Sequence, residues 1–185
     1  MRTTTDKRKS LVKAGRRLIH SKGFNATTLA DIAQASGVPL GNVYYYFRTK
    51  EELLDAVVHE QEDEFRSRVA RFEKAATPQA RLLAFLDSVV ESRMSITRHG
   101  CPVGSLSQEM NKRGGASRAR VNRQLVARAQ WASAQFREMG RTDAQELGVW
   151  LTGSVQGVIL MANALNDPAV IERQIGQIKA WVQKF

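Results

Sequence analysis

The side chains best suited to meet another molecule crowd into Leu40–Lys50, which reads LGNVYYYFRTK. Successive helix positions turn by about 100°, so Tyr44, Tyr45 and Tyr46 cannot all enter one core. Val43 and Phe47, four residues apart, already supply an inward pair, which leaves at least one tyrosine facing out. A second reactive candidate is the single cysteine, Cys101, in the run Gly100-Cys101-Pro102-Val103-Gly104-Ser105-Leu106. At a helix start, free amides and the helix dipole favour a thiolate, and Arg98 and His99 add positive charge. The competing reading is a small buried hydrophobe, the commoner role of an isolated cysteine. One cysteine excludes an intramolecular disulfide and a cysteine-rich zinc site, and His20, His59 and His99 lack ligand spacing, so neither metal nor cofactor is expected. No GxxxxGK, GxSxG, HExxH or paired-carboxylate signature is present, which points away from an enzyme.

The elements that must position these residues can be read from caps and periodicity. Thr28 stands where an N-cap belongs, with Asp31 three residues on to close a capping box. Leu29, Ile32 and Ala33 then share one helix face. Ser36-Gly37 ends that helix, because glycine enters the left-handed conformation of a sharp reversal without a Cβ clash. Val38 plugs the corner, and a second helix runs from Pro39 or Leu40 to Phe47. A helix, a glycine turn and a helix within about 20 residues have the spacing of a helix-turn-helix, whose second helix lies in the DNA major groove. A first helix over Lys7–Gly23 precedes it, with Leu11, Ala14, Leu18 and Ile19 inward and Arg8, Lys9, Lys13, Arg16 and Arg17 elsewhere. Up to Lys50 the chain carries ten Lys and Arg against two acids; the remainder carries 18 against 16. Most of the formal charge of +10 therefore belongs to the segment holding the motif, as expected if that part meets phosphates.

The residues Gly23-Phe24, Thr27-Thr28-Leu29, Asp31-Ile32-Ala33, Gly37-Val38, Gly41 to Phe47, Lys50 and Leu53-Leu54 resemble the DNA-binding domain of TetR/AcrR-type transcriptional regulators. The resemblance covers residues 7 to 55. It implies that Leu40, Gly41 and Asn42 face the groove floor, Asn42 being the best hydrogen-bonding reader and Gly41 allowing close backbone approach. It further implies that Tyr44 and Tyr45 contact sugar-phosphate or thymine methyls, and that Tyr46, Lys50 and Thr28 hold phosphates.

Beyond residue 50 further helices are expected over Lys50–Phe72, Pro78–Arg98, Val103–Met110, Ser117–Met139, Ala144–Leu165 and from Pro168 to the C-terminus. The result is an all-α protein of about nine helices: a three-helix head in residues 1–50 and a helical bundle in residues 51–185 for ligand sensing and dimerisation. Candidate pocket residues are Phe85, Val89, Met94, Cys101, Leu106, Met110, Trp131, Phe136 and Met161, since methionine and aromatics suit adaptable pockets. The eighth and ninth predicted helices offer Trp150, Gly153, Gly157, Ile171, Ile175, Ile178 and Trp181 as a dimer face, and the family resemblance implies a four-helix bundle there. The expected partners are a palindromic duplex, a second copy of the chain and a small-molecule effector. The expected function is that of a homodimeric repressor released from its operator by ligand. Thiol sensing through Cys101 and architectural DNA binding without an effector are the alternatives. Met1–Thr5 has no apolar leader core and no run approaches the roughly 18 apolar residues that span a bilayer, so a cytoplasmic location is expected, with no membrane partner.

Overall fold

The structure, a computed structural model, describes residues 4–185. Of Met1–Thr5, read above as lacking a leader core, Met1, Arg2 and Thr3 lie outside the described residues. The described residues form ten helices and no strand: α1 (Thr4–Lys22), α2 (Leu29–Ser36), α3 (Leu40–Tyr46), α4 (Lys50–Phe72), α5 (Pro78–Glu91), α6 (Arg93–His99), α7 (Gly104–Arg113), α8 (Ser117–Glu138), α9 (Ala144–Leu165) and α10 (Ala169–Val182). The all-α class is as expected.

Several boundaries follow from the chemistry that forecast them. Thr77 accepts the Ala80 amide at 3.1 Å, with Pro78 at the first helical position of α5. Thr49 likewise accepts the Glu52 amide at 3.1 Å at the start of α4. Two starts are built differently. Asp143 makes no cap bond and instead holds Arg141 through two contacts of 2.8 Å. Asp167 accepts the Ala169 amide at 2.9 Å from a position just before α10.

The single helix expected over Pro78–Arg98 is two. Ser92 sits at φ −87°, ψ 2°, the bridge region between helix and turn. Its hydroxyl donates to the Ser88 carbonyl at 3.0 Å, and Arg93 donates to the Val90 carbonyl at 3.2 Å, so side chains satisfy carbonyls that a continuous helix would use.

The chain packs as two compact units. The first takes the residues up to Asp63 together with Ser105–Asn122; the second takes Glu64–Gly104 with Arg123–Phe185. The unit that contains the head thus extends past residue 50 and includes most of α7. Its core is Leu11, Phe24, Ile32, Val43, Leu53, Leu54, Val57 and Val58, all fully buried, joined by Leu106 and Met110. The second core is formed by Leu82, Leu86, Phe136, Leu151, Ala162, Ile171, Ile175 and Val182 with their neighbours. Within it α9 approaches α8 closely: a Cβ on Gly148 would lie 2.6 Å from the Ser133 backbone nitrogen and 2.7 Å from the Ala129 carbonyl oxygen.

The most apolar helix is α9, whose 22 residues include an 18-residue window of mean hydropathy 1.3, although it holds no unbroken apolar run of that length. Thr152, Gly153, Ser154, Gln156 and Gly157 interrupt its apolar residues without adding charge. Its apolar side chains divide between two faces. Leu151, Val155, Ile159 and Ala162 enter the second core, whereas Val149, Trp150, Leu160, Met161 and Leu165 are exposed.

Candidate nucleic-acid interface

The path from α2 to α3 is fixed by local bonds. The Thr28 hydroxyl accepts the Asp31 amide at 3.0 Å while the Asp31 carboxylate accepts the Thr28 amide at 2.9 Å, a complete capping box. The bond from the Thr28 amide, with that from the Thr28 hydroxyl, holds the Asp31 carboxyl below its ordinary pKa. Gly37 turns the chain at φ 68°, ψ 22°, in the left-handed region. The Val38 amide then donates to the Ala33 carbonyl at 3.2 Å, and the Val38 side chain is buried in the corner.

On α3 the division of faces follows the helical turn. Val43 and Phe47 are sealed in the core of the first unit, whereas Leu40, Tyr44 and Tyr45 are 42%, 53% and 79% exposed. Gly41 and Asn42 lie on the same open side, and nothing stands within 4 Å of where a Gly41 Cβ would be. Glycine at that position is therefore not required by the chain's own packing. Tyr46 is half-buried against the core, its ring edge-on to Tyr45 with centroids 5.1 Å apart. Two of the three tyrosines thus present their rings to solvent beside an asparagine and a bare backbone. Exposed apolar side chains grouped in this way mark a surface built for a partner. Thr28 is exposed at the neighbouring start of α2.

Lys50 is placed otherwise than expected. Its ammonium donates to the carbonyls of Phe24 and Thr27 at 2.9 Å each and of Asn25 at 3.4 Å, and lies 4.3 Å from the Phe24 ring centroid. Three acceptors match its three protons, so the phosphate role is corrected to a structural one: Lys50 ties the start of α4 to the α1–α2 loop. Burial lowers its pKa, with Arg113 adding to the effect and Glu51 and Glu109 opposing it. Sequence reasoning missed this cluster altogether, because Glu109 and Arg113 lie on α7, some 85 residues from the loop they serve.

The pocket candidates do not form one group. Phe85 and Trp131 pack together with Phe72, with ring centroids 5.6 to 6.2 Å apart, and Val89 belongs to the same core. Phe136 is fully buried against Trp181 and Phe185. Leu106 and Met110 are buried in the core of the first unit, and Met94 and Met161 are 66% and 52% exposed. Met94 lies on α6, beyond the Ser92 break, and Val89 on α5. Cys101 is half-buried, and its sulfur accepts the Gly104 amide at 3.3 Å.

Of the dimer candidates, Ile171, Ile175 and Ile178 are buried in the protomer's own core and are corrected to packing residues. The apolar stripe of α10 packs against α5 and α9. Trp150 is 47% exposed and rests on half-buried Trp181, with ring centroids 4.2 Å apart. Gly153 and Gly157 have nothing within 4 Å of their Cβ positions, so neither glycine serves packing inside the protomer.

The comparisons with known proteins agree with this fold over most of the chain. The sequence model for bacterial regulatory proteins of the tetR family matches residues 11–57, and that for a tetracyclin repressor-like C-terminal domain matches residues 78–178. The HTH-type transcriptional regulator LmrA of Bacillus subtilis is 30% identical over 85% of this chain and 86% of its own. The regulator TtgR of Pseudomonas putida is 25% identical over 95% and 87%. Among solved structures, a TetR-family regulator from Agrobacterium tumefaciens superposes with a TM-score of 0.86 at 20% identity, covering 96% of this chain and 98% of that one. A regulatory protein TetR from Rhodobacter sphaeroides gives 0.82 at 25% identity over 93% and 96%. A helix-turn-helix with an outward asparagine-and-tyrosine face, a separate helical unit and two family matches lead to one conclusion: the chain belongs to the TetR family and is a DNA-binding transcriptional regulator.

Proposed function

We propose that the protein is a homodimeric repressor that reads a palindromic operator in the cytoplasm and releases it when a small molecule occupies the second unit. The observation that carries the reading is the outward face of α3, where Leu40, Gly41, Asn42, Tyr44 and Tyr45 are open while Val43 and Phe47 anchor the helix. Asn42 supplies the amide that pairs with an adenine edge, and the tyrosine rings meet thymine methyls and sugars. Thr28 and half-buried Tyr46 hold flanking phosphates.

Dimerisation is supported by the exposed stripe of α9. Val149, Trp150, Gly153, Gly157, Leu160, Met161 and Leu165 repeat every three or four residues along one face without a charge among them. Residues in that pattern bury a helix against another helix, and the two bare glycines let the partner come close. An effector site in the second unit is supported by the Phe72, Phe85 and Trp131 rings and by polar atoms buried without a protein partner: Trp131 Nε1, both amide atoms of Gln124, and the hydroxyls of Thr97 and Thr152. Buried polar groups left in that state favour a molecule that completes them.

Selection of duplexes from a random pool, followed by titration, tests the reading. The expected result is one palindrome with half-sites about 34 to 36 Å apart, bound at least roughly a thousandfold tighter than random duplex. No preference over random competitor at moderate salt would sink it.

A further inference from the structure

The loop between α1 and α2 feeds the chain into the DNA-reading motif, and five of its backbone polar groups are held by side chains from farther along the sequence. Gly23 turns it at φ 86°, Phe24 is fully buried in the core, and the buried Thr27 donates its hydroxyl to the Gly23 carbonyl at 2.7 Å. The amides of Phe24 and Asn25 both donate to one carboxylate, reaching Glu109 Oε2 at 2.8 Å and Oε1 at 2.6 Å. The carbonyls of the same stretch are taken by Lys50, as described above. Arg113, one helical turn beyond Glu109, lies 4.8 Å from the Phe24 ring centroid and pairs with Glu51 at 2.6 Å. Two charge-assisted bonds from one carboxylate to consecutive amides fix rotation as well as distance, which a single bond cannot do. The bare Cα of Gly23 also admits the carboxylate, since a Cβ there would stand 3.2 Å from Glu109 Oε2.

We propose that Glu109 is a positioning residue for operator binding: it touches no DNA, and it sets how α2 and α3 are presented by pinning the loop that leads into them to α7. Stability accounts for only part of the arrangement: the Phe24 bond is part-buried, but the Asn25 bond is exposed and water would satisfy that amide at small loss. Electrostatics gives a reason against one, because an acid in the unit that approaches phosphates works against binding. The geometry it imposes is what remains. The inference rests on the DNA-binding function established above and uses neither the proposed dimer nor the proposed effector.

The experiment compares full-length wild type, Glu109→Gln and Glu109→Ala for affinity to the selected operator and to a random duplex over a range of salt. Simple loss of a negative charge tightens both complexes. Positioning weakens the operator complex only, by about threefold or more for Glu109→Gln, which keeps one acceptor oxygen, and about tenfold or more for Glu109→Ala. Random-duplex affinity then stays level or rises, the salt slope is unchanged, and hydrogen exchange quickens at the Phe24 and Asn25 amides. Operator affinity that is unchanged or raised in both variants overturns the proposal. So does an equal loss on both duplexes with a collapsed thermal transition in Glu109→Gln, which would make Glu109 a residue of fold stability alone. A wild-type chain that prefers no duplex would overturn the operator reading, and this one with it.

Discussion

Two helices of this protein, α3 and α9, each hold three or more large apolar side chains in solvent, and they decorate them differently. On α3 the exposed groups are Leu40 and two tyrosines, beside an amide and within the more basic part of the chain. On α9 they are Val149, Trp150, Leu160, Met161 and Leu165, interrupted only by glycines and uncharged polar residues. Leaving such surface wet forgoes roughly 25 cal/mol for every Å² that a partner could cover, so both faces point to a partner. The chemistry of the partner is written in what accompanies the carbon. Hydroxyls and an amide suit the mixed polarity of a DNA groove, while a flat, charge-free stripe suits a copy of itself.

If that contrast holds, damage to one face must spare the partner of the other. The largest effect is expected from Leu160→Glu, which puts a charge at the centre of the α9 stripe. Sedimentation should report a monomer, and operator affinity should fall about a hundredfold or more while the head stays folded. A variant that remains dimeric would place the interface elsewhere.

Next comes Tyr44→Ala, which should weaken operator binding by about 1–3 kcal/mol, roughly tenfold to a hundredfold, with the dimer and the thermal midpoint unchanged. A collapsed melt with normal affinity in the folded fraction would reassign the ring to packing. Lys50→Met probes the boundary between contact and scaffold. It leaves three loop carbonyls short of a donor and should lower stability by about 1–3 kcal/mol, read by urea titration. A loss of affinity and of salt slope without loss of stability would restore Lys50 to the phosphate.

The smallest effect concerns acid. The folded-state pKa of Asp31 is depressed, so its capping bonds contribute above the usual carboxylate range and are lost as pH falls through the folded value. Amide shifts at Thr28 and Asp31 should therefore be flat at neutral pH and move only in strong acid. Asp31→Asn should abolish that step.

The sequence made the head legible because each of its features is local. The Thr28 box, the Gly37 turn and the Val43/Phe47 anchor all act within four residues, and the structure holds each where it was expected. The second unit hid its surfaces because α9 and α10 are apolar on more than one side, and periodicity does not say which stripe meets which neighbour. Ile171, Ile175 and Ile178 read as an interface only until α5 is known to lie on them. Glu109 was illegible for a different reason: its partners are backbone amides, which leave no mark in a list of side chains.

The tight seat of Gly148 against Ser133 and Ala129 fixes how α9 lies on α8 through a single missing methyl group, at a position well away from the outer stripe. Redesign can therefore vary Val149, Leu160, Met161 and Leu165 as a set while that seat keeps the helix in register. If the stripe is the dimer interface proposed above, a library built on those four positions, with Gly148 left alone, should yield regulators that pair with themselves and ignore the parent.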